Sequence, residues 1–474
     1  MGQEYLNFLS YLCNVNLNSM KTIVRFLLAV LLLGAASCSQ KQPVLSVEGG
    51  QIQGISSAAD GVTVFKGIPY AAPPVGSLRW REPQPVIPWE GVKVADTFGP
   101  IPWQEDLSGM DLYGKEFYSD GMPEMSEDCL YLNVWAPTRS LGDKNGKLPV
   151  AIWIHGGAFD HGFSNEITFD GDAWASRGVI LVTINYREGV FGFLGHKSLA
   201  MEEGALGRSG NYGLYDQLAA LDWVRNNISS FGGDPDNVTL FGQSAGARSV
   251  QTLVSAPITN GKIAKAIIQS GGGINPELQG REKSYLQVWA LGDEFCKFSG
   301  YESLEQMRAA SPEELLRKYR EFVDNGGSLP LGPMADMNIF GRSFTTAVST
   351  NELPDIPFMI GSTAGDGIQK AKDIDQFCAA RVYYKGKPVY EYLFTRKLPG
   401  DEAGAFHSAE LWYMFGTLDR CWRPFTEADY KLSAEMLDAW TNFCKYGDPN
   451  GKVKDGSWRP FTDGDPYRKV WDVE

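Results

Sequence analysis

A serine between two glycines, within residues 242–246 (Gly-Gln-Ser-Ala-Gly), is the feature of this sequence with the clearest chemical potential. The apolar run 238–241 precedes it and predicts a buried strand, and the residues after Gly246 can continue as a helix. This order is typical of a nucleophile elbow, a tight turn that exposes a serine hydroxyl at the carboxyl edge of a sheet. Gly242 and Gly246 fit it because side chains there would collide across the turn. The pattern predicts Ser244 as a nucleophile.

The base for this serine can be chosen from the order of residues along the chain. A hydroxyl becomes an effective nucleophile only when a base takes its proton, so Ser244 requires a histidine. In α/β-hydrolases the chain order is nucleophile, acid, histidine. Of the four histidines only His407 follows Ser244, and it is the predicted base. The others, His155, His161 and His196, are interpreted as structural, His155 as a support for the loop that follows it.

The acid of the triad must lie between the nucleophile and the base, at the end of a strand. The apolar run 357–360 ends in the glycine-rich turn 361–367, in which Asp366 is the only carboxylate. Asp366 would hold the histidine tautomer and stabilise the imidazolium that forms during the reaction. Asp373 and Asp375 are the alternatives.

Donors for the oxyanion are predicted from a second glycine-containing turn. The apolar strand 150–154 runs into residues 155–159 (His-Gly-Gly-Ala-Phe), where glycines leave backbone N–H groups uncovered. The N–H groups of Gly157 and Ala158, with that of Ala245 after the nucleophile, can point at one oxygen. We expect these three residues to form the oxyanion hole.

The elements that would position these residues indicate an α/β fold with a central, mostly parallel, twisted sheet flanked by helices. Continuous apolar runs predict strands covered on both faces; they are 150–154, 179–184, 238–241, 266–268 and 357–360. Apolar residues at helical spacing predict helices near 214–228 and 432–443, the second starting at Thr426 and stopping at Gly447. Residues 44–72 alternate and turn at glycines, which predicts an antiparallel lead-in.

The amino terminus is interpreted as a targeting segment. Met20 starts a basic stretch, residues 26–33 are apolar, and small residues precede Cys38. The run is short for a membrane span, which favours a cleaved signal, and the cysteine suggests lipidation. We therefore expect residues 1–38 to be an extension and lipoprotein-type signal, and residues 39–474 to be one domain. The expected location is outside the cytoplasm, periplasmic or anchored to the outer membrane, with membrane contact only through the lipid.

Composition excludes some partners. A net charge of −14 argues against nucleic acid. No clustered Cys/His pattern suggests zinc, and the predicted chemistry needs no metal or organic cofactor. The expected partner is a small-molecule or glycan-linked ester.

Several motifs, taken in order, resemble the type B carboxylesterases, the carboxylesterase/cholinesterase branch of the α/β-hydrolases. They lie at residues 65–71, 127–134, 155–159, 210–214, 231–235 and 241–247. The resemblance covers residues 44–474 and implies the roles given above for Ser244 and His407. It also implies that Ser270 supports the acid–base pair and that Glu410 is a buried glutamate behind it.

The chain departs from that family at several positions. Asp366 replaces the usual glutamate, and Gln243 replaces the acidic residue that cholinesterases carry beside the nucleophile. The family disulfide partner of Cys129 is missing, with Pro102 in its place, so Cys129 is predicted to be a free buried thiol. The short segment between Asp366 and His407 implies a reduced lid.

These observations predict a serine esterase that acts through an acyl-enzyme, on short-acyl or aryl esters. The alternatives are a polysaccharide deacylase such as an acetyl or feruloyl esterase, a lipase, an amidase, or a non-catalytic binding protein on a hydrolase scaffold. For Arg248, four residues after Ser244, the sequence suggests only an internal salt bridge.

Overall fold

A mixed sheet forms the centre of the domain. The computed structural model describes residue 7 and residues 42–473, except 110–111, 203, 206, 275–283, 337–338 and 453–456. The predicted signal segment and Cys38 lie outside the described residues. Residues Pro43–Glu474 form one compact unit.

The strands of the described residues follow one another along the whole unit. They are β1 (Val44–Val47), β2 (Gly50–Gln53), β3 (Ile55–Ser56), β4 (Val62–Pro69), β5 (Val92–Val94), β6 (Tyr131–Pro137), β7 (Leu148–Ile154), β8 (Ile180–Ile184), β9 (Gly233–Gln243), β10 (Lys265–Gln269), β11 (Phe358–Thr363), β12 (Val389–Phe394) and β13 (Arg468–Trp471).

The main sheet has ten strands within the described residues, in the order β13-β12-β11-β10-β9-β7-β8-β6-β4-β3. All neighbours from β8 to β13 run parallel. The pairs β3–β4, β4–β6 and β6–β8 are antiparallel. Strands β1, β2 and β5 form a separate small sheet, in which β1 and β2 are antiparallel. The predicted antiparallel lead-in and parallel centre are confirmed.

Helices lie between the strands. They are α1 (Leu112–Phe117), α2 (Asp172–Ser176), α3 (Gly189–Phe193), α4 (Lys197–Ala200), α5 (Tyr212–Asn227), α6 (Ala245–Ser255), α7 (Tyr285–Ser299), α8 (Leu304–Ala309), α9 (Pro312–Asp324), α10 (Phe344–Ser349), α11 (Ile368–Tyr383), α12 (Leu411–Phe415) and α13 (Glu427–Tyr446).

The two faces of the sheet are buried in two different hydrophobic cores. Along β7, Val150, Ile152 and Ile154 pack in one core, which also contains side chains of α5 and α6. Ala151 and Trp153 point the other way, into a core shared with α12 and α13. Because successive side chains of a strand alternate between faces, a continuous apolar run is what a sheet covered on both sides requires.

Helix α13 begins and ends at the residues that the sequence predicts. The Asp429 carboxylate, at the third helical position, accepts from the Thr426 N–H at 2.9 Å and from the Thr426 hydroxyl at 2.8 Å, as in a capping box. At the other end Gly447 adopts φ 69°, the left-handed conformation that suits glycine after a helix.

Strands β12 and β13 have no counterpart among the predicted strands. Glu391 interrupts the apolar run of β12, so that hydrophobicity alone does not predict a buried strand there. In the sheet Glu391 lies opposite Arg468 of β13, and the two side chains form an ion pair. A charge can be buried when it is paired and hydrogen-bonded, but the pairing depends on tertiary structure.

Candidate active site

Ser244 lies in a strained turn between the end of β9 and the start of α6. Its backbone adopts φ 56° and ψ −119°, a conformation that non-glycine residues rarely occupy. A side chain on Gly246 would place a Cβ 2.0 Å from the carbonyl oxygen of Ile154, and one on Gly242 would lie 2.6 Å from the backbone of Gly246. The two glycines are therefore needed for β7, the turn and α6 to approach so closely.

The loop after β7 lies beside the serine, and a Cβ on Gly156 would be 3.1 Å from the Ser244 Cβ. Gly157, Ala158 and Phe159 all have positive φ, at 114°, 57° and 65°. The carbonyl of Gly157 accepts from the N–H groups of Asp160 and His161, which closes the loop on itself. Gly157 and Ala158 line the same cavity as Ser244. Ala245 is the first residue of α6, where the backbone N–H has no acceptor within the helix.

His155 supports this loop from beneath. Its ring stacks on Tyr186 with centroids 4.4 Å apart, and the Tyr186 hydroxyl donates to the His155 carbonyl at 2.9 Å. Burial lowers the pKa of His155 to about 3, so the imidazole is neutral at physiological pH. This position agrees with its interpretation as a support.

His407 and Asp366 are in direct contact. Nδ1 of His407 lies 2.6 Å from Oδ1 of Asp366, whose side chain is 3% exposed. The other oxygen of Asp366 accepts from the Thr363 N–H at 3.0 Å. Burial by itself would raise the pKa of Asp366, but the hydrogen bond and charge of His407 outweigh it and lower that pKa. An ionised carboxylate here orients the imidazole with its proton on Nδ1.

The alternative acids lie elsewhere. Asp373 accepts from Gln369 at 2.9 Å on the exposed side of α11, and Asp375 pairs with Arg468 at 2.6 Å. Neither contacts His407. A glycine-rich turn at the end of β11 therefore places Asp366, rather than the next two aspartates, beside the histidine.

Lys370 is a contributor that sequence reasoning missed. Its ammonium donates to Oδ1 of Asp366 at 3.0 Å and to the carbonyl of Ser270 at 2.8 Å. Ser270 itself has φ 55° and lies at the end of β10. The predicted supporting serine thus lies next to the acid and is joined to it through Lys370. The four-residue spacing from Asp366, which precedes α11, to Lys370 in its first turn was the available signal.

The second ring nitrogen of His407 faces Gln243. The Gln243 amide nitrogen lies 3.1 Å from His407 Nε2, and this side chain is 2% exposed. With the proton of His407 on Nδ1, the amide donates to Nε2. Ser244 and His407 line the same cavity, but no hydrogen bond joins them among the described residues. Contacts of this kind often tighten only when substrate binds.

The cavity that contains Ser244 and His407 has a volume of about 260 Å³, and four aromatic side chains form part of its wall. Its aromatic side chains are Tyr113, Phe117, Tyr118 and Phe169. Glu166 and His161 also line it; burial raises the pKa of Glu166 to about 8 and lowers that of His161 to about 4. Both side chains are therefore mainly uncharged at neutral pH. Glu166 and the aromatic walls were not singled out from the sequence.

Glu410 is fully buried behind the acid–base pair, at the start of α12. Burial, with a further contribution from the charge of Asp366, raises its pKa to about 7. Neither carboxyl oxygen has a hydrogen-bond partner among the described residues. The position matches the one that the family resemblance implies.

The described part of the chain contains no group of three or more His, Cys, Asp or Glu side chains that could hold a metal ion. None of its helices is long and apolar enough to cross a membrane. Cys129 is a free, buried thiol, as predicted.

A sequence model of the Carboxylesterase family matches residues 41–378 and 373–470. The chain belongs to the carboxylesterase family. Among its relatives, the fumonisin B1 esterase of Sphingopyxis macrogoltabida is 37% identical, over 90% of this chain and 86% of that protein. The para-nitrobenzyl esterase of Bacillus subtilis is 34% identical, over 86% of this chain and 90% of that protein.

Solved structures of carboxylesterases share the fold. A PNB esterase aligns with a TM-score of 0.79 at 30% identity, over 91% of this chain and 96% of that one. A Geobacillus stearothermophilus carboxylesterase aligns with a TM-score of 0.75 at 31% identity, over 90% and 96%. The fold is therefore the α/β-hydrolase fold, and this carboxylesterase is a serine-type hydrolase of carboxylic esters.

Proposed function

We propose that this carboxylesterase uses Ser244, His407 and Asp366 as its catalytic triad. Ser244 attacks the ester carbonyl while His407 takes its proton and then returns it to the leaving alcohol; water hydrolyses the acyl-enzyme by the same route. Asp366 holds the imidazole and stabilises its protonated form. The observation that supports this proposal is that Ser244 and His407 line one cavity. His407 Nδ1 also lies 2.6 Å from the buried carboxylate of Asp366.

The N–H groups of Gly157, Ala158 and Ala245 are the proposed oxyanion hole. Charge develops on the carbonyl oxygen only in the transition state, so fixed donors there lower the barrier rather than strengthen substrate binding. The support for this proposal is that Gly157 and Ala158, which have positive φ, line the same cavity as Ser244.

Gln243 and Lys370 are proposed to position the triad. In the resting enzyme the Gln243 amide donates a hydrogen bond to His407 Nε2. This bond must break before the Ser244 hydroxyl can donate to the same nitrogen. Lys370 fixes Asp366 against the end of β10.

The substrates are proposed to be short-acyl or aryl esters. The aromatic walls beside His407 suit an aryl alcohol, because aromatic rings pack favourably edge to face or offset. Rates on acetyl, butyryl, long-chain and feruloyl esters would distinguish this proposal from a glycan deacylase or a lipase. A marked preference for long-chain or feruloyl esters would overturn it.

The triad can be tested with Ser244→Ala and His407→Gln. Each should lower kcat by about 10⁴-fold or more, as removal of a triad member does elsewhere, without changing the unfolding transition. His196→Gln is the matched control, because His196 pairs with Asp293 and caps α4, outside the cavity. A phosphonate probe should add once, at Ser244. Wild-type rates in Ser244→Ala would refute the proposal.

We also propose that the chain is exported and lipidated at Cys38. The support is the pattern of a basic stretch, an apolar run and small residues before a cysteine. Mass spectrometry of the mature protein should find a diacylglyceryl group on Cys38. A mature chain that starts elsewhere and carries no lipid would overturn this.

A further inference from the structure

Arg248 has no role in the triad or the oxyanion hole. It lies one turn after Ser244 on α6, about 6 Å further along the helix axis. The salt bridge suggested by the sequence is not formed with any described residue, and the side chain is exposed. The guanidinium stands over the ring of Phe159 at 5.9 Å, within the range of a cation–π contact.

Arg248 lines a second cavity, of about 360 Å³, which shares no lining residue with the cavity that contains Ser244. Arg342 lines it too, and is paired with Glu352. None of the described residues that line this cavity carries a carboxylate. In a chain of net charge −14, Arg248 is thus a cation without an acidic partner among the described residues, beside a cavity whose lining includes no acid.

The cavity lies close to the oxyanion loop, although Ser244, His407 and Asp366 do not line it. Phe159 directly follows Ala158, and Gly332 of the cavity wall packs so closely on the Phe159 ring that a Cβ there would lie 2.7 Å from it. On the opposite wall Gln251 donates to the carbonyl of Gly272 at 2.7 Å, and Lys370 lies beside that glycine. Phe159 of the oxyanion loop therefore contacts the cavity wall at Gly332, and Lys370 lies next to Gly272, which Gln251 of the wall contacts.

The remaining lining is suited to a short hydrocarbon chain. Val288, Leu331, Phe340 and Phe344 contribute apolar surface, and Thr252 and Ser343 contribute hydroxyl groups. A ligand with an apolar body and one anionic end would match both kinds of surface, since arginine binds a carboxylate through parallel N–H donors.

The position of His407 indicates which part of the ester lies in which cavity, and it leaves the Arg248 cavity for the acyl part. The leaving alcohol must lie beside His407, which protonates it, and the cavity with His407 is the aromatic one. We expect the acyl group to extend from Ser244 away from His407, toward Arg248, which lies one helix turn further along α6.

We propose that the cavity lined by Arg248 and Arg342 binds a carboxylate on the acyl part of the ester, so that half-esters of dicarboxylic acids are preferred substrates. The inference rests on the proposed function and narrows its substrate class. Arg248 is the specificity-determining residue, because its donors are not engaged by a described acid.

The test compares 4-nitrobenzyl hydrogen glutarate with 4-nitrobenzyl pentanoate, which have acyl chains of equal length and differ in the terminal carboxylate. Release of 4-nitrobenzyl alcohol is followed by chromatography, with the Ser244→Ala variant as background. Wild-type kcat/KM should be at least about tenfold higher for the glutarate ester, the factor that one charge-assisted hydrogen bond supplies. Free glutarate should inhibit more strongly than pentanoate.

The variants separate a binding role from a structural one. Arg248→Gln should abolish the glutarate-to-pentanoate ratio, and Arg248→Lys should restore part of it. Arg317→Gln is the control, because it removes an equal charge from an exposed pair with Glu321 on α9; the ratio should stay at the wild-type value.

Two results would overturn the inference: a wild-type ratio near one, or equal losses on both esters in Arg248→Gln. Hydrolysis of the pentanoate ester without a preference for glutarate would refute the inference alone. Failure to hydrolyse either ester, with no phosphonate adduct on Ser244, would refute the proposed function.

Discussion

Replacing Gly157 by alanine should disable the oxyanion loop while leaving the fold intact. The backbone there has φ 114°, and an added Cβ would lie 1.9 Å from the carbonyl oxygen of His161. Carbon and oxygen that are not bonded do not approach so closely, so the loop must shift by about 1 Å, a displacement that can lower an enzymatic rate by about 10²-fold. The shift moves the N–H groups of Gly157 and Ala158, and loss of one oxyanion donor costs about 3 kcal/mol. We expect kcat to fall by at least 10²-fold, and KM to change little, because these donors act in the transition state.

The matched control is Gly61→Ala. Gly61 also has positive φ, at 74°, but nothing lies within 4 Å of a Cβ there. Gly61→Ala contains only the strain of an alanine at positive φ, about 1 kcal/mol. Gly157→Ala contains that strain and also the collision with the His161 carbonyl oxygen. Steady-state kinetics on a 4-nitrobenzyl ester and urea unfolding of both variants give the comparison. If Gly157→Ala keeps kcat within tenfold of wild type, the loop does not supply the donors and the reasoning is wrong.

Three other perturbations test the surroundings of the triad. Gln243→Glu should move the acid limb of the pH profile of kcat/KM upward by about one pH unit or more, because a carboxylate near His407 Nε2, now 3.1 Å from the amide, stabilises the imidazolium; an unmoved limb would contradict that contact. Glu410→Gln should raise the unfolding free energy at pH 8 by up to about 3 kcal/mol and have little effect at pH 5. The native state keeps the Glu410 proton up to a pKa of about 7, whereas the unfolded chain releases it at the ordinary glutamate pKa of about 4.5. The free energy of unfolding therefore falls as pH rises through that window, and equal gains at both pH values would argue against a buried acid. Cys129 should resist thiol reagents in the native protein, because burial raises its pKa and blocks access, and react after unfolding; no reaction after unfolding would indicate a disulfide.

Most of the fold follows from local patterns. Runs of apolar residues identified the parallel centre of the sheet, because a strand that is covered on both faces has apolar side chains at successive positions. Helix α13 followed from its capping residues, which act within one turn of chain. Strand β12 was not predicted, because the charge of Glu391 within it is paired with Arg468, which is distant in sequence. The sequence of the strand does not indicate that partner.

The candidate nucleophile and base could be predicted from the sequence for a different reason. A nucleophile elbow needs glycines at fixed positions around Ser244, and the chain offers one histidine after it. These are constraints of backbone geometry and of chain order, both of which a sequence states directly. The choice among Asp366, Asp373 and Asp375 could be ranked from the turn but not decided.

The sequence by itself determined the elbow, the candidate base and the oxyanion loop, because each depends on the covalent order of a few residues. Only the tertiary structure decided which aspartate faces His407, that Gln243 occupies its free nitrogen, and that Lys370 links the acid to Ser270. It also decided that Arg248 faces a cavity free of described acids. These contacts join elements distant along the chain, and their distances depend on how helices and strands pack, which no local pattern specifies.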